Sequence, residues 1–336
     1  MIAFEDIRSV RLETSTYCNA ACPLCPRNLF GYPYNAGYTE KHLSLLEVQT
    51  MFDKDFVAQL DQVVFEGNFG DPMMNPHVLE LAQHFKDCLI EIHTNGSLQP
   101  SKTWQQLAGM NSQVHFGIDG LEDTHSIYRQ KTDWNKIIRN AETYIHAGGY
   151  AVWKMILFDH NRHQVEECQK MSEDLGFSHF ALVEQGRTEG PVFDENKQLI
   201  RVLGDFKGST NIDDYIKNIE SGEILIEDLW DEVNTNISCD TITNQEIYIN
   251  VEGEVFPCCF MGFNPQRYGK GQWHEPVNKQ IANLISNNNA LQRPLKECIE
   301  WFKSVSPCWN KTSFETGRLI VCDHNCGKKN LGRYVF

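Results

Sequence analysis

Strand-like and helix-like segments alternate along the chain from Val10 to Glu184. Six segments are short, mostly apolar, and rich in β-branched or aromatic residues, as is typical of parallel strands buried on both faces. They are Val10–Glu13, Gln62–Glu66, Leu89–His93, Val114–Asp119, Ala151–Phe158 and His179–Glu184. Repeated strand–helix units predict a parallel sheet with right-handed crossovers. Six units are too few to close an eight-stranded barrel.

Helix signals lie between these strands. Ser44 and Glu47 have the spacing of a capping box, which predicts a helix that runs toward Leu60. Asp133 is a suitable N-cap for a helix over Trp134–Ala147. These helices supply the crossovers that a parallel sheet requires.

Three cysteines follow the first predicted strand. Cys18, Cys22 and Cys25 have the spacing C-x₃-C-x₂-C, which places three thiolates around one small volume, as an iron–sulfur cluster needs. Three ligands on a four-iron cluster would leave one iron free for a substrate or cofactor. The alternatives are three buried thiols or a zinc site. Zinc usually takes four ligands in two C-x₂-C-like pairs, and the next cysteine is Cys88. We therefore favour the cluster.

The composition restricts the partners. Forty-five acidic and thirty basic residues give a formal charge of −15, which argues against nucleic acid as a partner. The N-terminus lacks the pattern of a secretory signal, and no apolar run is long enough to cross a membrane. Twelve cysteines without an export signal indicate metal or cluster ligation. We therefore expect a cytoplasmic protein with no membrane partner.

The C-x₃-C-x₂-C spacing resembles the signature of the radical S-adenosylmethionine (SAM) superfamily. That resemblance implies a partial (β/α)₆ TIM-like barrel, in which the chemistry takes place at the C-terminal ends of the strands. It also implies that Cys18, Cys22 and Cys25 hold a [4Fe–4S] cluster whose free iron binds the amino and carboxylate groups of SAM. One electron then cleaves SAM to methionine and a 5′-deoxyadenosyl radical, which abstracts hydrogen from a substrate. Leu24 occupies the position where the family has an apolar residue against the adenine.

The loops after the second and third strands extend the resemblance. Gly70 and Asp71 lie in a segment similar to the family's Gly-Gly-Glu-Pro motif, which contacts the SAM amino group. Asp71 replaces the usual glutamate and is one methylene shorter. Asn95 lies in a segment similar to the Thr-Asn-Gly stretch of these barrels. We favour a turn role for Asn95, with a place in the cofactor pocket as the alternative.

The fourth and fifth strands carry further candidates. Residues 117–120 and the following Arg129 resemble the family's Ser-Ile-Asp-Gly segment and its arginine, but Gly117 replaces the serine that helps to bind SAM. Asp119 is a candidate to hydrogen-bond the ribose or the substrate. Lys154 lies where relatives often carry a basic residue for the SAM carboxylate. The alternative for Lys154 is a salt bridge at the sheet edge.

A second group of cysteines lies near the C-terminus. Cys239 and Cys258 flank a predicted hairpin that turns at residues 252–253, which would bring the two thiols together. This pattern resembles the SPASM extension, or its shorter version called twitch, which carries auxiliary four-iron clusters. The dense cysteine run of the full pattern is missing, so the resemblance implies one auxiliary [4Fe–4S] cluster. Its expected ligands are Cys239, Cys258, Cys322 and Cys326, with Cys308 as a substitute ligand or nearby thiol. A structural zinc site is the alternative.

The resulting prediction is an α/β enzyme of two domains. Residues 1–210 would form the partial barrel, 211–235 a connecting segment, and 236–336 a small cysteine-rich α+β domain. The polar stretch over residues 186–214 is interpreted as a linker, with a lid over the barrel mouth as the alternative.

The resemblance implies a radical SAM oxidoreductase or modifying enzyme that takes an electron from an external one-electron reductant such as flavodoxin or ferredoxin. We favour a peptide or protein substrate. The alternatives are dehydrogenation or epimerisation of a small molecule such as an aminosugar, and an iron–sulfur redox carrier without SAM chemistry.

Overall fold

The computed structural model has a mixed α/β architecture with one large sheet. The model describes residues 1–25, 27–34, 39–183, 189–221, 237–262 and 280–327. The strands of these residues are β1 (Ser9–Glu13), β2 (Gln62–Glu66), β3 (Leu89–Thr94), β4 (Ser112–Gly117), β5 (Tyr150–Ile156), β6 (His179–Val183), β7 (Gly190–Phe193), β8 (Leu199–Leu203), β9 (Glu246–Ile249) and β10 (Val255–Phe256). Eight of them form one sheet in the order β10-β9-β1-β2-β3-β4-β5-β6. Strands β1 to β6 are all parallel, which confirms the predicted partial barrel.

Helices connect successive strands of the sheet. The α-helices of the described residues are α1 (Leu45–Met51), α2 (Lys54–Gln59), α3 (Val78–His84), α4 (Ser101–Ala108), α5 (Glu122–Tyr128), α6 (Trp134–His146), α7 (Val165–Asp174), α8 (Ile212–Ser221), α9 (Asp240–Thr243), α10 (Leu295–Cys298) and α11 (Ile320–Cys326). Short 3₁₀ helices cover Phe4–Asp6, Pro72–Met74, Arg162–Gln164, Glu300–Ser304 and Ser306–Asn310. No helix in the described ranges is long and apolar enough to cross a membrane.

The predicted helix starts are confirmed, but the first helix is shorter than expected. Ser44 and Glu47 form the capping box that opens α1, and Asp133 caps α6. The helix expected to run toward Leu60 ends at Met51, and a separate helix begins after Asp53. The Asp53 side chain accepts a hydrogen bond from a backbone N–H in the first turn of α2, so it starts a new helix there.

The outer face of the sheet packs against the helices through aromatic rings. Phe116 on β4 lies 5.3 Å from Trp104 of α4 and 6.2 Å from Tyr144 of α6, measured between ring centroids. All three side chains are fully buried. Rings at these separations in tilted or edge arrangements contribute beyond their area burial. This cluster fixes the helices against the strands whose ends form the site.

The inner face of the sheet is polar, which corrects the expectation of strands that are apolar on both faces. On β3, Ile90 and Ile92 are fully buried toward the helices, and Glu91 and His93 alternate with them on the opposite face. Arg11 has the corresponding position on β1 between two buried apolar residues. A closed barrel fills its interior with layers of branched apolar side chains. Among the described residues this sheet has seven parallel strands, β9 and β1 to β6, and polar residues line its inner face.

Residues 190–203 form a packed hairpin, so the linker interpretation is wrong for this part of the stretch. Strands β7 and β8 pair antiparallel. Val192 and Phe193 are almost fully buried, and the Phe193 N–H donates to the carbonyl of Phe30 at 2.8 Å. Buried apolar side chains attach this hairpin to the segment that follows the first three cysteines. Residues 184–188 of the same stretch lie outside the described residues.

The predicted C-terminal hairpin is present and joins the barrel sheet. Strand β10 pairs antiparallel with β9, and β9 pairs parallel with β1. Gly253 turns the hairpin with a φ of +80°, a conformation that glycine adopts at no steric cost. The sheet is therefore continuous between the predicted domains 1–210 and 236–336. The predicted connecting segment contains α8, and residues 222–235 of it lie outside the described residues.

Candidate active site

One cavity of about 580 Å³ lies at the C-terminal ends of the parallel strands and extends into the barrel. The strand ends contribute Glu66, Thr94, Gly117, Ile156 and Val183 to its wall. Both groups of cysteines line the same cavity, namely Cys18, Cys22 and Cys25 together with Cys239, Cys258, Cys322 and Cys326. The volume is in the range of typical small-molecule sites. Seven predicted metal ligands thus converge on one space.

The first three cysteines lie on a turn that follows β1. The Cys25 N–H donates to the carbonyl of Cys22 at 3.0 Å, which closes the turn. The Ala20 N–H lies 3.4 Å from Cys18 Sγ, and the Asn95 side-chain amide lies 3.8 Å from the same sulfur. Hydrogen-bond donors around the sulfurs are among the features that tune a bound cluster.

Burial raises the pKa of the Cys18 thiol well above its usual range, and the charges of Asp71 and the other two thiols act in the same direction. A thiolate at this position therefore needs a cation beside it. A bound metal supplies that charge and deprotonates its thiol ligands. The three thiols, their common cavity and the adjacent donors fit a metal cluster.

Leu24 lies next to this turn in an apolar cluster rather than on the cavity wall. It packs against a buried cluster that includes Tyr128, Phe158 and Val192. A Cβ at Gly190 would lie 3.0 Å from the Leu24 side chain, so the β7–β8 hairpin is in close contact with it. The expected contact between Leu24 and an adenine stays a prediction.

Gly70 lines the cavity, but packing within the protein is already a sufficient reason for a residue without a side chain here. A Cβ at this position would lie 2.1 Å from the Ser15 carbonyl oxygen and 2.8 Å from that of Tyr17. The Asp71 N–H donates to the Tyr17 carbonyl at 2.8 Å. The loop after β2 is therefore held directly against the loop that carries the cysteines.

Asp71 is buried and uses its carboxylate to organise the loop after β3. Its oxygens accept hydrogen bonds from the Met73 N–H at 2.9 Å and the Thr94 hydroxyl at 2.8 Å. They also accept from the Asn95 N–H at 2.8 Å and from the Asn95 side-chain amide at 2.6 Å. Burial raises the pKa of Asp71, and these donors act against that shift. Asp71 thus positions Asn95 at the cavity wall.

Asn95 makes the turn contact favoured for it and also reaches the cavity, and its place in a cofactor pocket stays a prediction. Its side-chain oxygen accepts from the Ser97 N–H at 2.9 Å, as in a turn. Its side-chain nitrogen points toward Asp71, Cys18 and the Asn19 side-chain oxygen, which is 2.9 Å away. The residue also lines the cavity.

Asp119 is fully buried and its carboxylate is engaged by the protein. One oxygen accepts from Arg129 Nε at 2.6 Å, and the other accepts from the Ile156 N–H at 2.7 Å. Arg129 itself lines the cavity. A Cβ at Gly117 would lie 2.8 Å from a terminal nitrogen of Arg129, so the glycine makes room for the guanidinium. Asp119 therefore orients a cation that borders the cavity.

Arg129 was mentioned together with the Gly117 segment in the sequence analysis but was not selected there as a site residue. The signal that could have found Arg129 was Gly117, which stands where the family has a serine and leaves room for the guanidinium. Lys154 pairs in register with Gly117 and also lines the cavity. Burial lowers the pKa of Lys154, and the carboxylate of Glu66 opposes that shift. Two cationic side chains thus border the cavity near the strand ends.

Arg11 crosslinks three strands inside the barrel. Its guanidinium forms ion pairs with Glu66 on β2 and with Glu246 on β9. Glu13, on the same face of β1, is fully buried and accepts from the Tyr248 hydroxyl at 3.2 Å. Burial, followed by the charge of Glu66, raises the pKa of Glu13 to about 8. Alternation of polar and apolar residues along β1 and β3 was the signal that could have found these side chains.

Glu91, His93 and His115 form a further polar group in the barrel. His93 and His115 line the cavity, and their rings stack with centroids 4.7 Å apart. Glu91 Oε1 lies 2.6 Å from His93 Nε2. Burial and the charge of His93 lower the pKa of His115 to about 4. Burial opposes ionisation of Glu91, but its hydrogen bond with His93 and the nearby charges lower its pKa to about 2.

The second group of thiols gathers around the hairpin and α11. The Ser238 N–H donates to the Cys326 carbonyl at 2.9 Å, which ties the segment before Cys239 to the end of α11. Burial raises the pKa of Cys258 well above its usual range, and the neighbouring thiols, including those of Cys322 and Cys326, add to the shift. As at Cys18, bound metal would supply the positive charge that thiolates here require.

Two more cysteines lie close to this group. Cys308 is near enough to Cys322 to influence its pKa, and its thiol lies 3.3 Å from the Ser304 carbonyl. Cys259 lines the cavity, where the charges of Glu66 and Arg11 act on it. Cys259 is thus a further thiol on the cavity wall, which the sequence analysis did not select.

Comparisons with known proteins are consistent with this arrangement. Residues 12–171 match the family model of the radical SAM superfamily. The structure of Streptococcus suis SuiB bound to S-adenosylmethionine is similar, with a TM-score of 0.55 and 13% identity over 95% of this chain and 72% of that chain. Native anSMEcpe with bound AdoMet gives a TM-score of 0.56 and 15% identity over 95% of this chain and 89% of that chain. No significant match was found among curated proteins.

The fold and the site define an open α/β barrel with a thiol-lined cavity at the C-terminal ends of its strands. The matched residues run from β1 into α7 and include Cys18, Cys22 and Cys25. Residues 12–171 thus match the radical SAM superfamily, and the fold of the chain is similar to that of the SuiB and anSMEcpe structures.

Proposed function

We propose that this protein is a radical SAM enzyme that holds a [4Fe–4S] cluster on Cys18, Cys22 and Cys25 and binds SAM in the cavity beside them. When bound, such a cluster supplies the electron that cleaves SAM, and the resulting 5′-deoxyadenosyl radical abstracts hydrogen from the substrate. The observation that carries the proposal is that these three thiols share one cavity with cationic and amide side chains at the strand ends. We infer that an external one-electron reductant, such as a flavodoxin or ferredoxin, supplies the electron.

Two residues at the cavity suit the carboxylate of the SAM methionine group. Arg129 and Lys154 offer positive charge to a carboxylate, and Arg129 is held in place by Asp119. In the loop after β2, the carboxylate of Asp71 already accepts hydrogen bonds from Thr94 and Asn95. We therefore propose that Asp71 acts mainly by positioning Asn95 and the Gly70 loop, which line the cavity.

A SPASM- or twitch-like auxiliary cluster on Cys239, Cys258, Cys322 and Cys326 is the second part of the proposal. Two sulfurs bound to one zinc ion at about 2.3 Å lie at most about 4.6 Å apart. Within the described residues, no three of these thiols lie within 4.8 Å of one another. These thiols therefore do not form a ready-made site for a single zinc ion, and four thiols are the ligand set that a [4Fe–4S] cluster takes.

A peptide or protein is the proposed substrate. Similar folds include SuiB bound to the precursor peptide SuiA, at 14% identity and a TM-score of 0.55, and anSMEcpe with AdoMet and a Cp18Cys peptide, at 16% identity and a TM-score of 0.54. The charged barrel interior, with Arg11, Glu66 and Glu246, also suits a polar small molecule. Stimulation of SAM cleavage by peptides or by aminosugars would distinguish the two substrates.

The direct test is SAM cleavage by anaerobically reconstituted protein with dithionite as reductant. We expect 5′-deoxyadenosine from the wild type and from Cys88→Ala, because Cys88 is buried against the Val57 carbonyl, away from the cavity. Cys18→Ala should give none above background. Equal product from Cys18→Ala and wild type would overturn the proposal, and no product from either would favour an iron–sulfur carrier.

A further inference from the structure

Two histidines and a glutamate meet on the inner face of the barrel. His93 on β3 and His115 on β4 are paired in register, and Glu91 lies two residues before His93 on the same face. One potential ligand atom from each residue lies within 4.8 Å of the other two. We propose that Glu91, His93 and His115 form a binding site for one divalent transition-metal ion such as Zn²⁺, separate from the cysteine ligands.

The distances suit a single ion after small side-chain adjustments. Glu91 Oε1 lies 2.6 Å from His93 Nε2 and 3.7 Å from His115 Nε2. Zinc binds imidazole nitrogen and carboxylate oxygen at about 2.0–2.2 Å, so two of its ligand atoms lie at most about 4.3 Å apart. Both measured separations fall within that limit. The two rings are nearly parallel, at 14°, and both nitrogens approach the same carboxylate oxygen.

The donor set and its surroundings indicate an open site. Two imidazoles and one carboxylate are typical ligands of catalytic zinc and of other divalent transition metals. Three protein ligands leave coordination positions free. His93 and His115 line the cavity, so an oxygen or nitrogen atom of a molecule in the cavity can complete the coordination. The side chains are only 16–21% exposed, which limits competition from bulk water.

Gln113 is the neighbour that competes with the ion. Its side-chain nitrogen lies 2.6 Å from His115 Nε2, on the lone pair that a metal would use. Metal binding must displace this hydrogen bond. Gln113→Ala removes the competitor without removing a ligand, so the variant should bind the ion at least as tightly as the wild type.

Zinc binding by the full-length, anaerobically reconstituted protein tests the proposal. Iron, sulfide and zinc are measured in the same sample after equilibrium dialysis against Zn²⁺. We expect the wild type to bind about one zinc ion more than His93→Ala or His115→Ala, with equal iron in all three. Because even outer partners of a metal site change affinity about 10–100-fold, loss of a ligand should weaken zinc binding at least about 100-fold.

The matched control is His77→Ala. His77 also pairs with a glutamate, Glu80 at 3.1 Å, but both side chains are exposed. This variant should bind zinc as the wild type does. Equal zinc in the wild type and in the His93 and His115 variants, at equal iron, would overturn the proposal.

Anomalous diffraction from wild-type crystals soaked in Co²⁺ provides a measurement that does not depend on how the variants fold. We expect a peak between Glu91, His93 and His115. Absence of that peak from crystals of the reconstituted protein would mean that the three side chains form only a hydrogen-bonded network. Neither experiment requires SAM cleavage, so the metal site and the proposed function can fail independently.

Discussion

Because Gly70 has no side chain, the loop after β2 can pack directly against the loop that carries the first three cysteines. Its neighbours at the hypothetical Cβ position are backbone oxygens of Ser15 and Tyr17, at 2.1 and 2.8 Å, which cannot rotate away. We expect Gly70→Ala to destabilise the protein by about 1–3 kcal/mol or more, as overpacking does. The thermal midpoint of the reconstituted protein measures the effect.

Gly109→Ala is the matched control for this substitution. Gly109 ends α4 with a φ of −78°, and a Cβ there would lie 3.5 Å from its nearest neighbour, an ordinary contact. We expect little change in its thermal midpoint. Equal midpoints for the two alanine variants would contradict the packing role of Gly70.

Glu13 makes the stability of the protein depend on pH. Its pKa of about 8 in the folded protein is above the ordinary value of 4.5, so the folded state keeps a proton that the unfolded chain releases. The stabilisation is therefore complete below about pH 4.5 and is lost as the pH rises through about 8, on the order of a few kcal/mol in total. Denaturant unfolding at pH 5.5 and pH 8.5 measures this loss.

Glu13→Gln separates this effect from the other titrating groups. The amide oxygen can still accept from the Tyr248 hydroxyl, which lies 3.2 Å from the native carboxylate, but it does not ionise. The variant should lose less stability than the wild type between the two pH values. An equal or larger loss in the variant would show that Glu13 ionises normally.

The types of the site residues were predictable from the sequence, but their contacts were not. The spacing of Cys18, Cys22 and Cys25 is local, and a turn after β1 places all three at the cavity. Asp71 and Asp119 look equally available in the sequence. The fold directs Asp71 toward Asn95 and Asp119 toward Arg129. Such partners come from different strands, so only the packed barrel decides which polar group is free for a ligand.

At the level of secondary-structure elements, a buried ion pair fixes α11, the helix that carries Cys322 and Cys326. Arg318, just before the helix, donates from two nitrogens to Asp323 at 2.8 and 2.6 Å, and both residues are almost fully buried. Loss of one partner leaves an uncompensated buried charge, which costs about 3–5 kcal/mol. We expect Asp323→Ala to displace α11 and to lower the iron content to that of Cys322→Ala.

The control for this element is an exposed ion pair. Glu300 pairs with Lys303, and their side chains are 57% and 75% exposed. Exposed pairs contribute about 0–1 kcal/mol, so Glu300→Ala should keep its iron. Wild-type iron content in Asp323→Ala would contradict the role of the buried pair.

The prediction of elements succeeded where the signals were local and failed where they depended on packing. The capping box at Ser44 and the glycine turn at residue 253 are local signals, and both features are present. The β7–β8 hairpin was interpreted as a linker because its surroundings are polar. Its apolar side chains, Val192 and Phe193, are buried by contact with the loop after the first cysteines, which sequence pattern alone does not reveal.

At the level of the whole molecule, pairing between β9 and β1 brings distant cysteines to one cavity. Residue 246 pairs with residue 9, and Arg11 links Glu246 to Glu66 across three strands. The cysteine spacings predicted two separate groups. Their convergence depends on this strand pairing, for which the sequence offered no register. The resulting continuous sheet places the second group of thiols along the wall of the same cavity.

The central claim is that Cys18, Cys22 and Cys25 hold a cluster that binds SAM. The most direct measurement is the electron paramagnetic resonance spectrum of reduced, reconstituted Cys322→Ala protein, which keeps the first three thiols. We predict a [4Fe–4S]⁺ signal whose g values shift when SAM is added, and no such shift in Cys18→Ala. A spectrum of Cys322→Ala that SAM leaves unchanged, or a shift that persists in Cys18→Ala, would contradict the account.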